Sequence, residues 1–237
     1  MFFKKSRFFL SLLFGFIFVT VAGSSHVNSV SASGKNLKVD ISSFIEAGCV
    51  QDGDKLDCSK IELNEKFGCQ EIMVSSNALG GLSPNVGIVE CRFINRGNAD
   101  QGISRKGCRL PLYNKYIVYK DGEFKGVNST EEFRRFFGPV TTPEEALSFA
   151  VALTNSYADY NVKPPEGYRV YVPKIEDSEV RKVKDYYEVR LFNYQLCGCG
   201  PHPYFAVEYK VTKSGEVKEI SRQKLYEDPQ KDGLCVD

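Results

Sequence analysis

The sequence predicts an α+β fold, in which one or two helices pack on an antiparallel meander sheet after a loop-rich, cysteine-rich β region. Three observations predict it. Apolar and polar residues alternate along several segments after residue 167, a period typical of strands with one buried face. A helical segment with a strong start signal at Thr142 precedes those segments. Eight cysteines lie between residues 49 and 235 of the 237-residue chain.

Residues 1–32 have the pattern of a cleavable signal peptide. A basic start without acids leads into an apolar run from Phe8 to Ala22, and a small, polar stretch follows. Val30-Ser31-Ala32 fits a small-x-small cleavage site, and Val21-Ala22-Gly23 is an earlier alternative. The run is short of the roughly 20 apolar residues of a membrane-spanning helix. We therefore expect an exported protein, periplasmic, cell-surface or secreted, without a stable membrane anchor after cleavage; an uncleaved anchor is the alternative.

The remaining chain carries 28 basic and 30 acidic residues, a balance that offers no general attraction to nucleic acid. His202 is the one histidine left after cleavage at Ala32, which argues against histidine-rich metal sites and paired-histidine mechanisms. The zinc-protease, nucleophile-elbow and phosphate-loop motifs are missing from the sequence. The sequence thus provides no catalytic residue and no cofactor, and it favours a protein that is not an enzyme.

We divide the exported part into a cysteine-rich β and loop region, 33–112, and an α+β region, 113–237, with a disulfide-pinned C-terminal tail. In the first region, residues 71–74 and 86–94 resemble strands. The segment 77–87 between them is dense in turn residues. We keep this loop as a candidate recognition surface.

The second region begins with predicted strands over 113–119 and 123–127, joined by a turn at Asp121-Gly122. Ser129 and Glu132 are spaced as a capping box for a short helix. Thr142-Pro143-Glu144-Glu145 starts the main helix. We expect that helix to bury residues at steps of three and four, namely Leu147, Ala150, Val151, Thr154 and Tyr157.

The rest of the chain alternates as strands. The predicted buried positions are Tyr168, Val170 and Val172; Tyr187, Val189 and Leu191; and Phe205, Val207, Tyr209 and Val211. A turn over 212–215 leads into a strand over 216–220. The architecture is similar to cystatin-like and PepSY-like modules, which suggests a hydrolase inhibitor or prodomain-like role as one alternative. Tyr186, Phe192 and Tyr194 share the opposite face, and we expect the N-terminal half to cover it; an exposed binding patch is the other interpretation.

An even number of cysteines in an exported chain predicts disulfides. The candidates are Cys49, Cys58, Cys69, Cys91, Cys108, Cys197, Cys199 and Cys235. Turn-rich loops favour pairs 49–58 and 91–108. Cys197 and Cys199 are too close to bridge each other comfortably, so we expect one to bond Cys69 and the other Cys235. Five cysteines precede residue 110 and three follow residue 190, so an odd number of bridges must join the two groups.

Chemical interest centres on Cys197, Cys199 and His202, in the turn CGCGPHP. Two thiols and an imidazole could hold a soft metal ion or form a reactive thiolate. We favour structural bridges instead. The acid pairs Glu131-Glu132 and Glu144-Glu145 stand in first helical turns, where we expect them to cap rather than to act as acid and base.

The leading hypothesis is an exported, disulfide-stabilised, non-catalytic binding or interaction module for an unidentified protein or small-molecule partner. The main alternative is an extracytoplasmic thiol-redox or soft-metal-binding protein that uses Cys197, Cys199 and His202.

Overall fold

A computed structural model of the protein describes residues 31–32, 34–95, 97 and 102–237. The basic start and apolar run of the predicted signal peptide lie outside the described residues. So does most of the polar loop 96–101.

The described residues form a mixed α+β structure, as predicted. The α-helices are α1 (Ser42–Ala47), α2 (Leu63–Phe67), α3 (Thr130–Phe137) and α4 (Pro143–Leu153), with 3-10 turns at Gly34–Asn36, Ser59–Ile61, Asn77–Gly81 and Pro229–Lys231. The strands are β1 (Ser31–Ala32), β2 (Val50–Asp52), β3 (Lys55–Asp57), β4 (Glu71–Val74), β5 (Gly87–Ile94), β6 (Ser104–Arg105), β7 (Leu112–Lys120), β8 (Glu123–Val127), β9 (Arg169–Val170), β10 (Glu179–Val183), β11 (Tyr186–Tyr194), β12 (Gly198–Cys199), β13 (Tyr204–Thr212), β14 (Val217–Glu227) and β15 (Cys235–Val236).

The first sheet is antiparallel, in the order β2-β3-β4-β5-β7-β6, with β8 also paired to β7. It confirms the strands predicted around 71–74, 86–94, 113–119 and 123–127. The sheet continues past residue 112, where we drew the boundary between the two regions, because β7 forms its main ladder with β5. The region boundary stays a prediction.

The second sheet, β1-β10-β11-β13-β14-β9, contains the predicted meander. Tyr187, Val189 and Leu191 are buried on one face, as the alternation predicts. The turn into β14 places Gly215 at a φ of +78°, where an added Cβ would lie 2.4 Å from a ring carbon of Phe149. Glycine therefore permits both the turn and its close approach to α4. The prediction for Val170 is wrong, because β9 is only two residues long and leaves Val170 50% exposed.

Helix α4 is more deeply buried than a helix with one apolar stripe. The eight consecutive residues from Glu145 to Ala152 are all buried. On one side it contacts strands of the second sheet, and elsewhere the 3-10 turn Asn77–Gly81. The Tyr116 hydroxyl, from the first sheet, donates to the carbonyl of Ala152 at 3.0 Å. One apolar cluster consequently joins both sheets through this helix.

The loop 77–87, a candidate recognition surface, is instead largely packed. In the predicted recognition loop 77–87, Ala78 and Leu79 are buried in the main cluster, and the Ser148 hydroxyl donates to the Ala78 carbonyl at 2.6 Å. Gly81 lies so close to α4 that a Cβ there would be 2.5 Å from the Glu144 carbonyl oxygen. Of the loop, Asn77 at its start and Ser83, Pro84 and Asn85 are exposed. Most of the loop therefore packs against α4 and the main apolar cluster and does not form an exposed recognition surface.

The aromatic face of the second sheet is covered, but not by the N-terminal half. Phe192 is fully buried in a cluster with Leu225 and Tyr226. The partly buried side chains packed against it come from the segment after α4 and from β13, namely Tyr157, Val162, Tyr168, Val172, Ile175, Tyr204 and Ala206. The covering layer is therefore local in sequence, since the segment 157–175 folds back over the sheet.

All eight cysteines lie among the described residues and all are bonded. The pairs are Cys49–Cys58, Cys69–Cys91, Cys108–Cys197 and Cys199–Cys235. The bridge 49–58 confirms one prediction, and the bridge 199–235 confirms that Cys197 or Cys199 bonds Cys235. One bridge joins the two groups of cysteines, an odd number as required.

The predicted bridge 91–108 and the bridge from 197 or 199 to Cys69 are wrong. Pairing of β4 with β5 brings Cys69 beside Cys91, with their Cα atoms 5.4 Å apart. Cys108 is thereby left for Cys197, 89 residues away. Sheet pairing, rather than the turn content of a loop, decides these two partners.

Candidate functional site: a cleft between the two sheets

The turn CGCGPHP is a structural junction. Cys199 and Cys235 are directly paired in the short ladder of β12 with β15, so their disulfide pins the C-terminal tail as predicted. His202 is buried. Its Nδ1 lies 3.1 Å from the Gln195 carbonyl oxygen and its Nε2 lies 3.0 Å from that of Leu234. Both ring nitrogens are therefore occupied by backbone groups.

This arrangement does not support a reactive thiol or a metal site at Cys197, Cys199 and His202. The sulfurs of Cys197 and Cys199 bond Cys108 and Cys235, so neither is a thiolate in this structure. Across the described part of the chain, no group of three or more histidine, cysteine, aspartate or glutamate side chains is arranged to hold a metal ion. The structure brings Cys197, Cys199 and His202 into one junction, but as crosslinks and a buried ring.

One acid of each pair, Glu132 and Glu145, acts as a cap. The Glu132 carboxylate accepts the Asn128 N–H at 2.7 Å, while Ser129 Oγ accepts the Glu132 N–H at 3.1 Å. In α4, the Glu145 carboxylate accepts the Thr142 N–H at 3.0 Å and Thr142 Oγ1 accepts the Glu145 N–H at 3.1 Å. Both helix starts thus use an acid for backbone N–H groups that would otherwise lack partners.

A cleft of about 630 Å³ opens next to the junction. Three pieces of chain form it: the end of β6 with the loop after it, the segment after α4, and the end of β11 with the following loop. The lining residues are Arg105, Lys106, Gly107, Cys108, Asn155, Tyr157, Asn193, Tyr194, Gln195, Leu196 and Cys197.

Two crosslinks hold the cleft in shape. The Cys108–Cys197 disulfide joins its two outer walls. Behind it, Asn155 Nδ2 donates to the Arg105 carbonyl at 2.8 Å, and Asn193 Nδ2 donates to the Asn155 carbonyl at 3.1 Å. The chain of amides therefore links β6, the segment after α4, and β11.

The back of the cleft is aromatic. Tyr157 and Phe192 exchange two backbone hydrogen bonds of 2.9 Å, which attach the segment after α4 to β11. Burial raises the pKa of the Tyr157 hydroxyl well above its usual range, and neighbouring tyrosines add to the shift. The phenol is therefore neutral at physiological pH.

The charges around the cleft are unbalanced. Among the described residues, its lining includes two basic side chains, Arg105 and Lys106, and no acidic one. A second hollow of about 540 Å³, beside β3 and α2, contrasts with it, because Asp52, Asp57 and other acids surround a single lysine there. The larger cleft is thus the one with a uniform sign of charge.

Sequence reasoning missed this cleft. Cys108 and Cys197 were recognised as disulfide candidates but not as partners, and Asn155, Asn193 and Lys106 carried no motif. A correct pairing of Cys108 with Cys197 would have placed the loops around 105–108 and 193–197 together. No other signal in the sequence locates the site.

The fold and the site define a disulfide-bonded α+β protein with an open cleft between its sheets. Comparisons with protein-family models, with curated proteins and with solved structures found no match. Within the described residues, none of the helices has the length and apolar character needed to cross a membrane.

Proposed function

We propose that this chain is an exported, non-catalytic binding protein, and that the cleft between its sheets is the ligand site. The observation that carries the proposal is the cleft itself. Its volume of about 630 Å³ lies within the range of small-molecule sites. The disulfide and amide crosslinks across its walls make it largely preformed, which lowers the entropic cost of binding.

The residues that line the cleft support a role in binding rather than catalysis. Those that the structure describes include no carboxylate, imidazole or free thiol, the groups that most often serve as general base or nucleophile. What they offer instead is amides, two cations, aromatic rings and one leucine. Such a mixture suits recognition of a ligand by hydrogen bonds and apolar contact.

Export is supported by two independent features. Residues 1–32 carry the signal-peptide pattern, and four disulfides are typical of proteins in an oxidising compartment. The four disulfides also account for all eight cysteines, so no redox or metal role is needed to explain them.

The proposal is tested by ligand screening with a cleft-filling variant. Fragments are added to the isotopically labelled, disulfide-intact protein, and backbone amide NMR shifts are followed. We expect hits to shift amides at 105–108, 155–157 and 193–197. Leu196→Trp fills the mouth of the cleft and should abolish these hits, whereas Val50→Trp, at another exposed apolar position on β2, should leave them unchanged.

Two outcomes would overturn the proposal. One is a screen in which no fragment shifts the cleft amides. The other is a set of cleft hits that bind Leu196→Trp as well as they bind the wild-type protein.

A further inference from the structure

Neither cationic side chain of the cleft forms an ion pair with an acidic side chain of the described residues. Arg105 directs Nη2 at the backbone carbonyls of Cys108 and Arg109, the latter at 3.3 Å. Lys106 makes no side-chain hydrogen bond or ion pair with any other described residue. Both residues line the cleft, and neither has an ion-pair partner among the acidic side chains that the structure describes.

The acid that acts electrostatically on Lys106 is Glu90, which already forms an ion pair with Arg92. Glu90 influences Lys106 electrostatically, but its Oε1 lies 2.9 Å from Nε of Arg92. One carboxylate thus serves two cations, and this trio carries a net positive charge. Burial lowers the pKa of Lys106, and Glu90 offsets this effect only in part. A desolvated, unpaired ammonium is costly, and an anion beside it would relieve that cost.

The apolar part of the lining adds a second requirement. Leu196 is 45% exposed at the mouth. The Tyr157 ring and the Cys108–Cys197 sulfurs provide further apolar surface. An inorganic anion alone would leave this surface and most of the volume unused. The ligand should therefore combine a negative group with an apolar body.

From this geometry we infer that the cleft takes a small organic anion. Its carboxylate or sulfonate group binds near Lys106 and Arg105, and its aromatic or aliphatic body lies against Tyr157 and Leu196. The inference rests on the proposed function and names the class of ligand for the same site.

A pair of probes separates charge from apolar contact. 1-Anilinonaphthalene-8-sulfonate is an aromatic anion, and N-phenyl-1-naphthylamine has nearly the same body without the charge. Both are titrated by fluorescence into the full disulfide-intact protein. Lys106→Gln should weaken binding of the anion about tenfold, the scale of a lost hydrogen bond to a charged group. Binding of the neutral probe should change by less than about twofold, since apolar contact is kept.

Control variants make the result specific. Lys60→Gln removes the same charge at an exposed position in the 3-10 turn before α2 and should affect neither probe. Leu196→Trp should abolish binding of both probes if they bind in the cleft. Should Lys106→Gln fail to fold, Arg105→Gln at an exposed position carries the same expectation for the anion.

The outcomes distinguish the two claims. If neither probe binds, or if both probes bind Leu196→Trp as well as they bind the wild-type protein, the cleft is not a ligand site for such molecules. Both claims then fail. If the neutral probe binds in the cleft while the anion does not, or if Lys106→Gln and Lys60→Gln affect the anion equally, only the inference about charge is overturned.

Discussion

At the scale of single residues, the clearest electrostatic feature outside the cleft is Glu227, a buried acid at the end of β14. Its Oε1 accepts hydrogen bonds from Tyr171 and, at 3.0 Å, from Arg169, while Lys224 contacts its other oxygen. Burial by itself would raise the pKa of Glu227. The hydrogen bonds from Lys224, Tyr171 and Arg169 outweigh it, so the pKa lies below its usual range.

A lowered pKa makes the stabilisation by Glu227 depend on pH. The ionised form contributes stability above its unfolded pKa of about 4.3, and this contribution is lost as pH falls through the folded value. Glu227→Gln should therefore lower the free energy of unfolding at pH 7 by about 2 kcal/mol. The difference from wild type should shrink steadily as pH falls below about 4.3 toward the lower folded pKa.

Urea unfolding at several pH values between 3 and 7 checks this expectation. Glu166→Gln, at an exposed position, is the control and should match wild type throughout. A deficit for Glu227→Gln that stays constant down to pH 3 would show that the carboxylate charge is not its source.

At the scale of elements, β1 bears on how the chain is processed. Its two residues, Ser31 and Ala32, pair with Arg181 and Val180 of β10, and β1 also contacts α4. Cleavage after Ala32 would remove this strand, whereas cleavage after Gly23 would keep it. The pairing therefore favours the earlier of the two sites.

We expect the exported protein to begin at Ser24. Intact-mass measurement of protein recovered from outside the cytoplasm distinguishes this start from one at Ser33. A chain that begins at Ser33 should also unfold at lower temperature than one that begins at Ser24, because it lacks the edge pairing with β10. A mature protein found to begin at Ser33 would refute the preference for the earlier site.

At the scale of the whole molecule, the four disulfides close loops of different length in the chain. Cys49–Cys58 and Cys69–Cys91 crosslink the first sheet region, and Cys199–Cys235 ties down the tail. Cys108–Cys197 is the bridge that joins the cysteines before residue 110 to those after 190, over a separation of 89 residues. It also closes the wall of the cleft, so it links global stability to the proposed site.

Loop-closure entropy predicts unequal costs for removing two of these bridges. Replacing Cys108 and Cys197 by alanine should cost about 4 kcal/mol of unfolding free energy, against about 2.5 kcal/mol for Cys49 and Cys58. The reason is that the longer loop gains more freedom in the unfolded chain. Urea unfolding without reductant measures both.

Peptide mapping of the unreduced wild-type protein provides the check on connectivity, with no free thiol expected. An equal or larger loss for the short bridge would contradict the entropic account. Two free thiols at 197 and 199 would instead favour the thiol or metal hypothesis over the binding module.

The features that the sequence predicted correctly depend on neighbours in the chain. The start of α4 was readable at Thr142 because a capping box is made within four residues. The strands β11 and β13 were readable because alternation records which side of each strand is apolar. The bridges 49–58 and 199–235 followed from a short hairpin and from the impossibility of a relaxed bridge between Cys197 and Cys199.

By itself, the sequence thus determined the α+β class, the main helix and the meander, and the odd number of bridges between the two groups of cysteines. Only the tertiary structure decided which layer covers Phe192, that Cys108 bonds Cys197, and that Lys106 lines a cleft without an ion pair to any described acid. The reason is physical: these features depend on how segments far apart in the chain are placed in space. Local hydrogen bonding and side-chain periodicity carry no information about that placement.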